Sequence, residues 1–186
     1  MNPDETIDPR IALLSKLPKD SICAEIGVWK GDYSDAILYH VHPKKLHLID
    51  PWKFYTTFGK RWYGGMVAKE QRDMDDIYES VKEKFKDRNE VEFHRQTSEE
   101  AAKSFEDNYF DWVYIDGNHY YEFVKKDLEM YLPKTKKGGY LAGDDYNWTS
   151  EELNGELPVK KAVDEFVEKY GFEIEIIDYQ FIIKIS

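Results

Sequence analysis

Along this chain, short apolar runs alternate with segments in which apolar residues return every three or four positions. The runs at residues 21–26, 45–50, 91–96, 111–116, 139–143, 172–177 and 180–185 predict seven strands. The segments between them predict helices at 34–39, 73–85, 98–105, 121–131 and 159–170, after an opening helix at about 9–17. The last of these brings Val159, Ala162, Val163, Phe166 and Val167 to one face. Strands alternating with helices form βαβ units, whose strands run parallel with helices packed on the sheet. Only Asp178 and Tyr179 separate the last two runs, too few residues for a parallel crossover, so those two strands must pair antiparallel. The pattern predicts an α/β three-layer sandwich on a seven-stranded, mostly parallel sheet that ends in an antiparallel β-hairpin.

Length and composition narrow the class. At 186 residues the chain fits one domain, 1–186, in which 1–20 reads as a helical extension and 51–72, long for a strand-to-helix connection, as a lid. Hydrophobic residues at 41% and charged residues at 34% suit a soluble globular protein. The opening Met1-Asn2-Pro3-Asp4-Glu5-Thr6 is polar and acidic, and no run of about 18 apolar residues follows, so no leader or membrane span is expected and the expected location is cytoplasmic. The single cysteine, Cys23, lies in an apolar run and reads as a small core residue. A net charge of -11 repels phosphate backbones and anionic membranes, which disfavours nucleic acid and lipid as partners and favours a small-molecule acceptor. The oligomeric state is left open, a homo-oligomer included.

The first predicted strand runs into Glu25-Ile26-Gly27-Val28-Trp29-Lys30-Gly31-Asp32-Tyr33-Ser34, two glycines in a loop that opens a helix and can approach a ligand closely. A dinucleotide fingerprint would need glycine at the positions of Gly27, Trp29 and Asp32, and two of the three fail. Glu25 and Asp32 would also repel a pyrophosphate. S-adenosylmethionine has no phosphate and carries an ammonium and a sulfonium, so the acidic loop suits it. At the end of the second strand Asp50 follows Glu25 by about 25 residues, where a ribose diol would meet it. Singly, Gly27 and Gly31 also read as turn glycines, Glu25 as an edge residue and Asp50 as a cap; their combination is what points to a cofactor.

That loop, together with Ile115-Asp116-Gly117-Asn118-His119-Tyr120-Tyr121-Glu122 and Gly138-Gly139-Tyr140-Leu141-Ala142-Gly143-Asp144-Asp145-Tyr146, resembles the class I S-adenosylmethionine-dependent methyltransferases. Within them it is similar to the group that includes macrocin-type and aminocoumarin sugar O-methyltransferases and cephalosporin-hydroxylase-like proteins, over about residues 20–186. The resemblance implies a Rossmann-like fold closed by an antiparallel hairpin. It implies that the Gly27 loop, with Glu25, Trp29, Gly31, Tyr33 and Ser34, holds the methionine end of the cofactor, that Asp50 meets the ribose, that Thr97 and Ser98 lie near adenine, and that Asp116 borders the cofactor.

Asp116 ends the fourth predicted strand, and Asp144 and Asp145 end the fifth, on the edge where open α/β sheets bind ligands. Three carboxylates without a counter-charge raise one another's pKa values, and a hard divalent cation relieves the repulsion. Mg²⁺ or another divalent cation on Asp116, Asp144 and Asp145 is therefore expected. In the resembled family such an ion chelates neighbouring hydroxyls of the acceptor, lowers their pKa and orients the oxygen toward the sulfonium methyl. The competing reading makes Asp144 and Asp145 a loop cap and Asp116-Gly117-Asn118 a turn. Where some sugar methyltransferases of the group carry an acidic base this chain has Asn118, whose amide cannot take a proton. His119 is the next candidate base, catalytic beside Asp116, against a structural, hydrogen-bonded role.

The expected reaction is in-line methyl transfer to the hydroxyl of a sugar, polyol or other natural product. Its rivals are N-methyl transfer, a non-catalytic cofactor-binding protein and a nicotinamide-dependent oxidoreductase, the last opposed by the missing third glycine. In 51–72 the aromatics Trp52, Phe54, Tyr55, Phe58, Trp62 and Tyr63 alternate with Lys53, Lys60 and Arg61 before Gly64-Gly65, a composition that suits a lid over the acceptor, or else packing on the sheet edge or a dimer contact.

Overall fold

A computed structural model describes residues 7–55, 68–149 and 154–186. Its elements are α1 (Pro9–Leu14), β1 (Ile22–Ile26), α2 (Asp32–Val41), β2 (Lys45–Ile49), α3 (Gln71–Lys84), β3 (Val91–His94), α4 (Ser98–Ala102), β4 (Phe110–Ile115), α5 (Tyr121–Tyr131), β5 (Thr135–Gly143), α6 (Pro158–Tyr170), β6 (Glu173–Ile177) and β7 (Gln180–Lys184). All seven strands join one sheet in the order β3-β2-β1-β4-β5-β7-β6. The first five run parallel, with Glu25 opposite both Leu48 and Tyr114, while β7 pairs antiparallel with β5 and β6. This is the three-layer sandwich with its closing hairpin that the hydrophobic pattern predicts, and the Rossmann-like fold that the family resemblance implies.

Several boundaries differ from the pattern, and that of β5 does so for a local reason. β5 begins at Thr135 rather than 139, because Phe110 pairs with Thr135 and the register then shifts between Phe110 and Trp112, a bulge that absorbs Lys136 to Gly139. β3 ends at His94, and α4 is five residues long instead of eight.

The two sheet faces carry separate cores. On one, Leu13 and Leu14 of α1, Ile37 and Leu38 of α2 and Met74 and Val81 of α3 pack on Cys23, Leu46, Leu48, Trp112 and Tyr114. On the other, Ala101, Leu128, Val159, Ala162, Val163 and Phe166 pack on Ala24, Ile49, Val113, Leu141 and Phe181. The alternation follows from the strand period of two, which sends Cys23 and Ala24 to opposite faces. Cys23 is a fully buried core residue, as expected. Trp52 is also fully buried, its indole N–H donating to the Trp29 carbonyl at 2.9 Å, so the first aromatic of the supposed lid is a core residue. Phe58, Lys60, Arg61, Trp62, Tyr63, Gly64 and Gly65 lie outside the described residues. Among the described residues no helix is long and apolar enough to cross a membrane.

Candidate active site

The loop after β1 is shaped by two glycines and one buried acid. Gly27 has φ +88°, and a Cβ there would stand 2.0 Å from the carbonyl oxygen of Asp116, so backbone from the end of β4 fills the space any other side chain would need. Gly31 has φ +71° and precedes α2. Between them Trp29 also holds a positive φ of 54°. Asp50 stabilises this conformation: its Oδ2 accepts the N–H groups of Val28 (3.0 Å) and Trp29 (3.1 Å), and its Oδ1 that of Trp52 (2.6 Å). It has no exposed surface, and burial lifts its pKa to about 7 against the pull of those three donors. The carboxylate of Asp50, expected to meet the ribose, is turned inward and fastens the loop.

Beneath the loop, Glu25 is buried and accepts the Ser34 hydroxyl. Burial first, then the charges of Asp116 and Asp50, push its pKa well up. Beside it lies the Tyr33 hydroxyl, the one buried side-chain polar atom without a hydrogen-bond partner among the described residues. Its charged neighbours are Glu25, Arg10 and Asp144. A buried hydroxyl left open beside a glycine cradle fits a pocket that a polar ligand completes.

Thr97 and Ser98, expected near adenine, have their hydroxyls engaged within the protein. Thr97 is the N-cap of α4, in a reciprocal capping box with Glu100. Ser98 donates to Asp127 Oδ1 at 2.5 Å. Asp127 is buried on α5, and burial raises its carboxyl to about 6.

The carboxylates at the ends of β4 and β5 do converge, but not as three equals. Asp144 is buried and saturated: Arg10 donates to its Oδ2, with Nε at 2.8 Å, while Gln180 and the Asp145 N–H (2.7 Å) donate to its Oδ1. The Arg10 guanidinium also lies 3.5 Å from Asp116 and over the Tyr33 ring, and Tyr114 fixes Gln180 through a 2.6 Å hydrogen bond. The ligand-capable set is instead Asp116, His119 and Asp145, whose donor atoms all lie within 4.8 Å of one another. Of the expected cation set of Asp116, Asp144 and Asp145, this group contains Asp116 and Asp145, while Asp144 is paired with Arg10.

His119 Nε2 stands 3.5 Å from Asp116 and 3.2 Å from Asp145. Burial works to lower its pKa, but the hydrogen bond to Asp116 and the surrounding carboxylates outweigh it and the net shift is upward. Asp116 is raised to about 6, by burial first and against His119, with Asp144 adding to the rise. Asn118 accepts the Tyr120 N–H at 2.9 Å, a turn that launches α5. Two protein oxygens and one imidazole nitrogen, partly exposed, fit a divalent cation with open positions for a ligand.

Arg10, Gln180 and Asp127 are absent from the sequence reading. Asp127 alone leaves a local signal, an acid among the buried positions Val124, Leu128 and Tyr131 of α5.

Residues 24–146 match a family model described as a methyltransferase domain. Among solved structures, an S-adenosylmethionine-dependent methyltransferase from Aquifex aeolicus is similar at 21% identity, with 95% of this chain and 87% of that chain covered and a TM-score of 0.58. The O-methyltransferase NovP is similar at 18% identity, with 96% and 80% covered and a TM-score of 0.62. An O-methyltransferase family protein from Burkholderia thailandensis is similar at 14% identity, with 96% and 55% covered and a TM-score of 0.61. At these identities the structures share a fold with this chain. A comparison with curated proteins finds no match by sequence.

Proposed function

Because this chain belongs to the methyltransferase family, and is an S-adenosylmethionine-dependent methyltransferase of class I fold, we propose that it methylates a hydroxyl of a small molecule with the help of a divalent cation. The observation that carries the proposal is the meeting of Asp116, His119 and Asp145 directly across from the Gly27 loop, whose missing Cβ lets the two backbones touch. Oxygen as the acceptor atom is supported by NovP and the Burkholderia thailandensis protein, both O-methyltransferases by name. A net charge of -11 supports a small acceptor over a nucleic acid.

In this proposal the methionine end of the cofactor lies on the Gly27 loop and α2, with Tyr33 and Glu25 as the polar floor. A buried Glu25 held toward its neutral form gains its charge back when a cationic group arrives. Asp116 and Asp145 hold the cation, and the two roles open to His119 compete for one atom: Nε2 either lends its lone pair to the cation or takes the hydroxyl proton. The position of Nε2 between both carboxylates favours the first. When bound, the cation supplies positive charge that lowers the pKa of an acceptor hydroxyl. Arg10 keeps Asp144 neutralised and the end of β5 in place.

Release of S-adenosylhomocysteine across a panel of polyols, sugars and phenols, with and without EDTA, tests the proposal. Turnover that EDTA abolishes and Mg²⁺ or Mn²⁺ restores is the expected result. Full turnover in EDTA would make His119 the metal-free base, and cofactor binding without turnover on any acceptor would leave a binding protein.

A further inference from the structure

We propose that His47, Glu92 and His94 form a second, separate site for a first-row divalent cation, with Zn²⁺ as the probe, which clamps the edge strand β3 onto β2. The site is independent of the methyl-transfer chemistry, which uses none of the three side chains.

The three converge because of the sheet register. His47 on β2 pairs directly with Glu92 on β3, and His94, two residues on, points to the same face. His47 Nδ1 and His94 Nε2 face each other at 2.8 Å, His94 Nε2 lies 3.6 Å from Glu92 Oε1, and the three ligand atoms lie within 4.8 Å of one another. Ligand atoms bound at about 2.0–2.2 Å around a tetrahedral Zn²⁺ are about 3.3 Å apart, so the set needs only small side-chain movements to close on an ion.

The surroundings suit ligation. The other nitrogen of His47, Nε2, lies 3.1 Å from the Tyr109 hydroxyl, whose oxygen can accept the Nε2–H hydrogen bond and so leave the Nδ1 lone pair toward the centre. Lys45 holds Glu92 Oε2 at 2.7 Å, which leaves Oε1 toward His94. Phe105 stands edge-on to His47 at 5.1 Å and beside His94 at 5.3 Å, and Phe110 edge-on to His47 at 5.6 Å, so the imidazoles sit against an apolar wall. Burial lowers both imidazoles, His47 to about 4. Glu92 is half exposed and gives the ion a way in. Two imidazoles and one carboxylate select a borderline ion such as Zn²⁺ over Mg²⁺, which prefers oxygen throughout.

The test uses the full chain carrying Asp116→Asn and Asp145→Asn, which removes the first cation set. After dialysis against EDTA, calorimetric titration should show one Zn²⁺ bound per chain, with Co²⁺ giving visible absorption at the same stoichiometry and saturating Zn²⁺ raising Tm. In that background His94→Gln and Glu92→Gln should each weaken Zn²⁺ by about tenfold or more and shrink the Tm rise, while Mg²⁺ shifts neither. Glu92 is surface-facing, so its variant reports on the site even where a change in the buried His47 would perturb folding. Zn²⁺ affinity unchanged by both substitutions, or no Zn²⁺ bound by the folded protein, overturns the proposal.

Discussion

Arg10 and Asp144 lie 134 residues apart in sequence and meet as an ion pair at the end of β5, with Nε of one 2.8 Å from Oδ2 of the other. Asp144 is buried and the guanidinium is about two-fifths exposed, so the pair sits at the boundary between core and solvent. Removing Arg10 leaves a buried acid with only Gln180 and a backbone N–H to face. Arg10→Ala should therefore cost about 1–3 kcal/mol, discounted from a fully buried pair because the cation is partly solvated. Thermal unfolding should register this as a lower Tm. Adding Asp144→Asn should recover part of the loss, since it removes the stranded charge, and strictly additive effects would mean that the pair does not couple.

Asp144 and Asp145 are adjacent in sequence and opposite in burden, and single variants should separate them. Asp145→Asn should weaken the response of turnover to added Mg²⁺ or Mn²⁺ at nearly unchanged Tm. Asp144→Asn should act mainly on Tm, through lost contacts to Arg10 and Gln180. Both variants should bind S-adenosylhomocysteine within about threefold of wild type, a spread under 1 kcal/mol. Calorimetry and metal-dependent kinetics on the two proteins check the contrast, and equal metal responses would return Asp144 to the ligand set.

Gly27→Ala should abolish measurable cofactor binding. Its Cβ would meet the Asp116 carbonyl at 2.0 Å in a backbone of φ +88°, so the loop and the end of β4 must part. The strain alone costs about 1–2 kcal/mol before any clash. Calorimetry with S-adenosylhomocysteine on the folded variant is the measurement; wild-type affinity would show that this loop does not touch the cofactor.

Asp127 supplies a pH signature. Burial raises its carboxyl from 3.8 to about 6, so the folded protein holds the proton over a range where the unfolded chain releases it. The stability this group contributes is complete below about pH 4 and declines as pH rises through about 6. Asp127→Asn keeps an oxygen for Ser98 and cannot ionise. Wild-type stability measured relative to that variant should thus fall by about 2–3 kcal/mol between pH 4 and pH 7. Urea unfolding of the two proteins across that range gives the difference, and a flat difference would mean that the carboxyl is not perturbed.

The strand and helix order was legible because each strand is a short apolar run whose neighbours mark its ends, and the hairpin because Asp178-Tyr179 permits only an antiparallel return. The acids at strand ends were legible too, as was the need for a glycine at 27. What each acid does was not. Asp50 and Glu25 look alike in sequence as strand-end or strand carboxylates, yet one fastens a backbone loop and the other answers a serine. Asp144 and Asp145 differ in which way the chain turns at the end of β5, where Asp145 takes a positive φ of 59° and its partly exposed side chain meets His119 while Asp144 is buried. Partners 134 or 36 residues away, such as Arg10 and Gln180, leave no periodic trace, because they are set by how layers stack.

The position of β7 has a consequence for the order in which the molecule is made. It is the last strand in sequence but lies inside the sheet, between β5 and β6. A growing chain that has already released Asp144 still lacks Gln180, and β6 has no neighbour until its hairpin partner arrives. The hairpin must therefore dock as a unit, and only then does the amide of Gln180 reach Asp144 while Tyr114 holds it from below. Completion of the sheet and completion of the hydrogen bonds around Asp144 are one event, so a chain that still lacks β7 holds Asp144 by Arg10 and a backbone N–H, without the amide of Gln180.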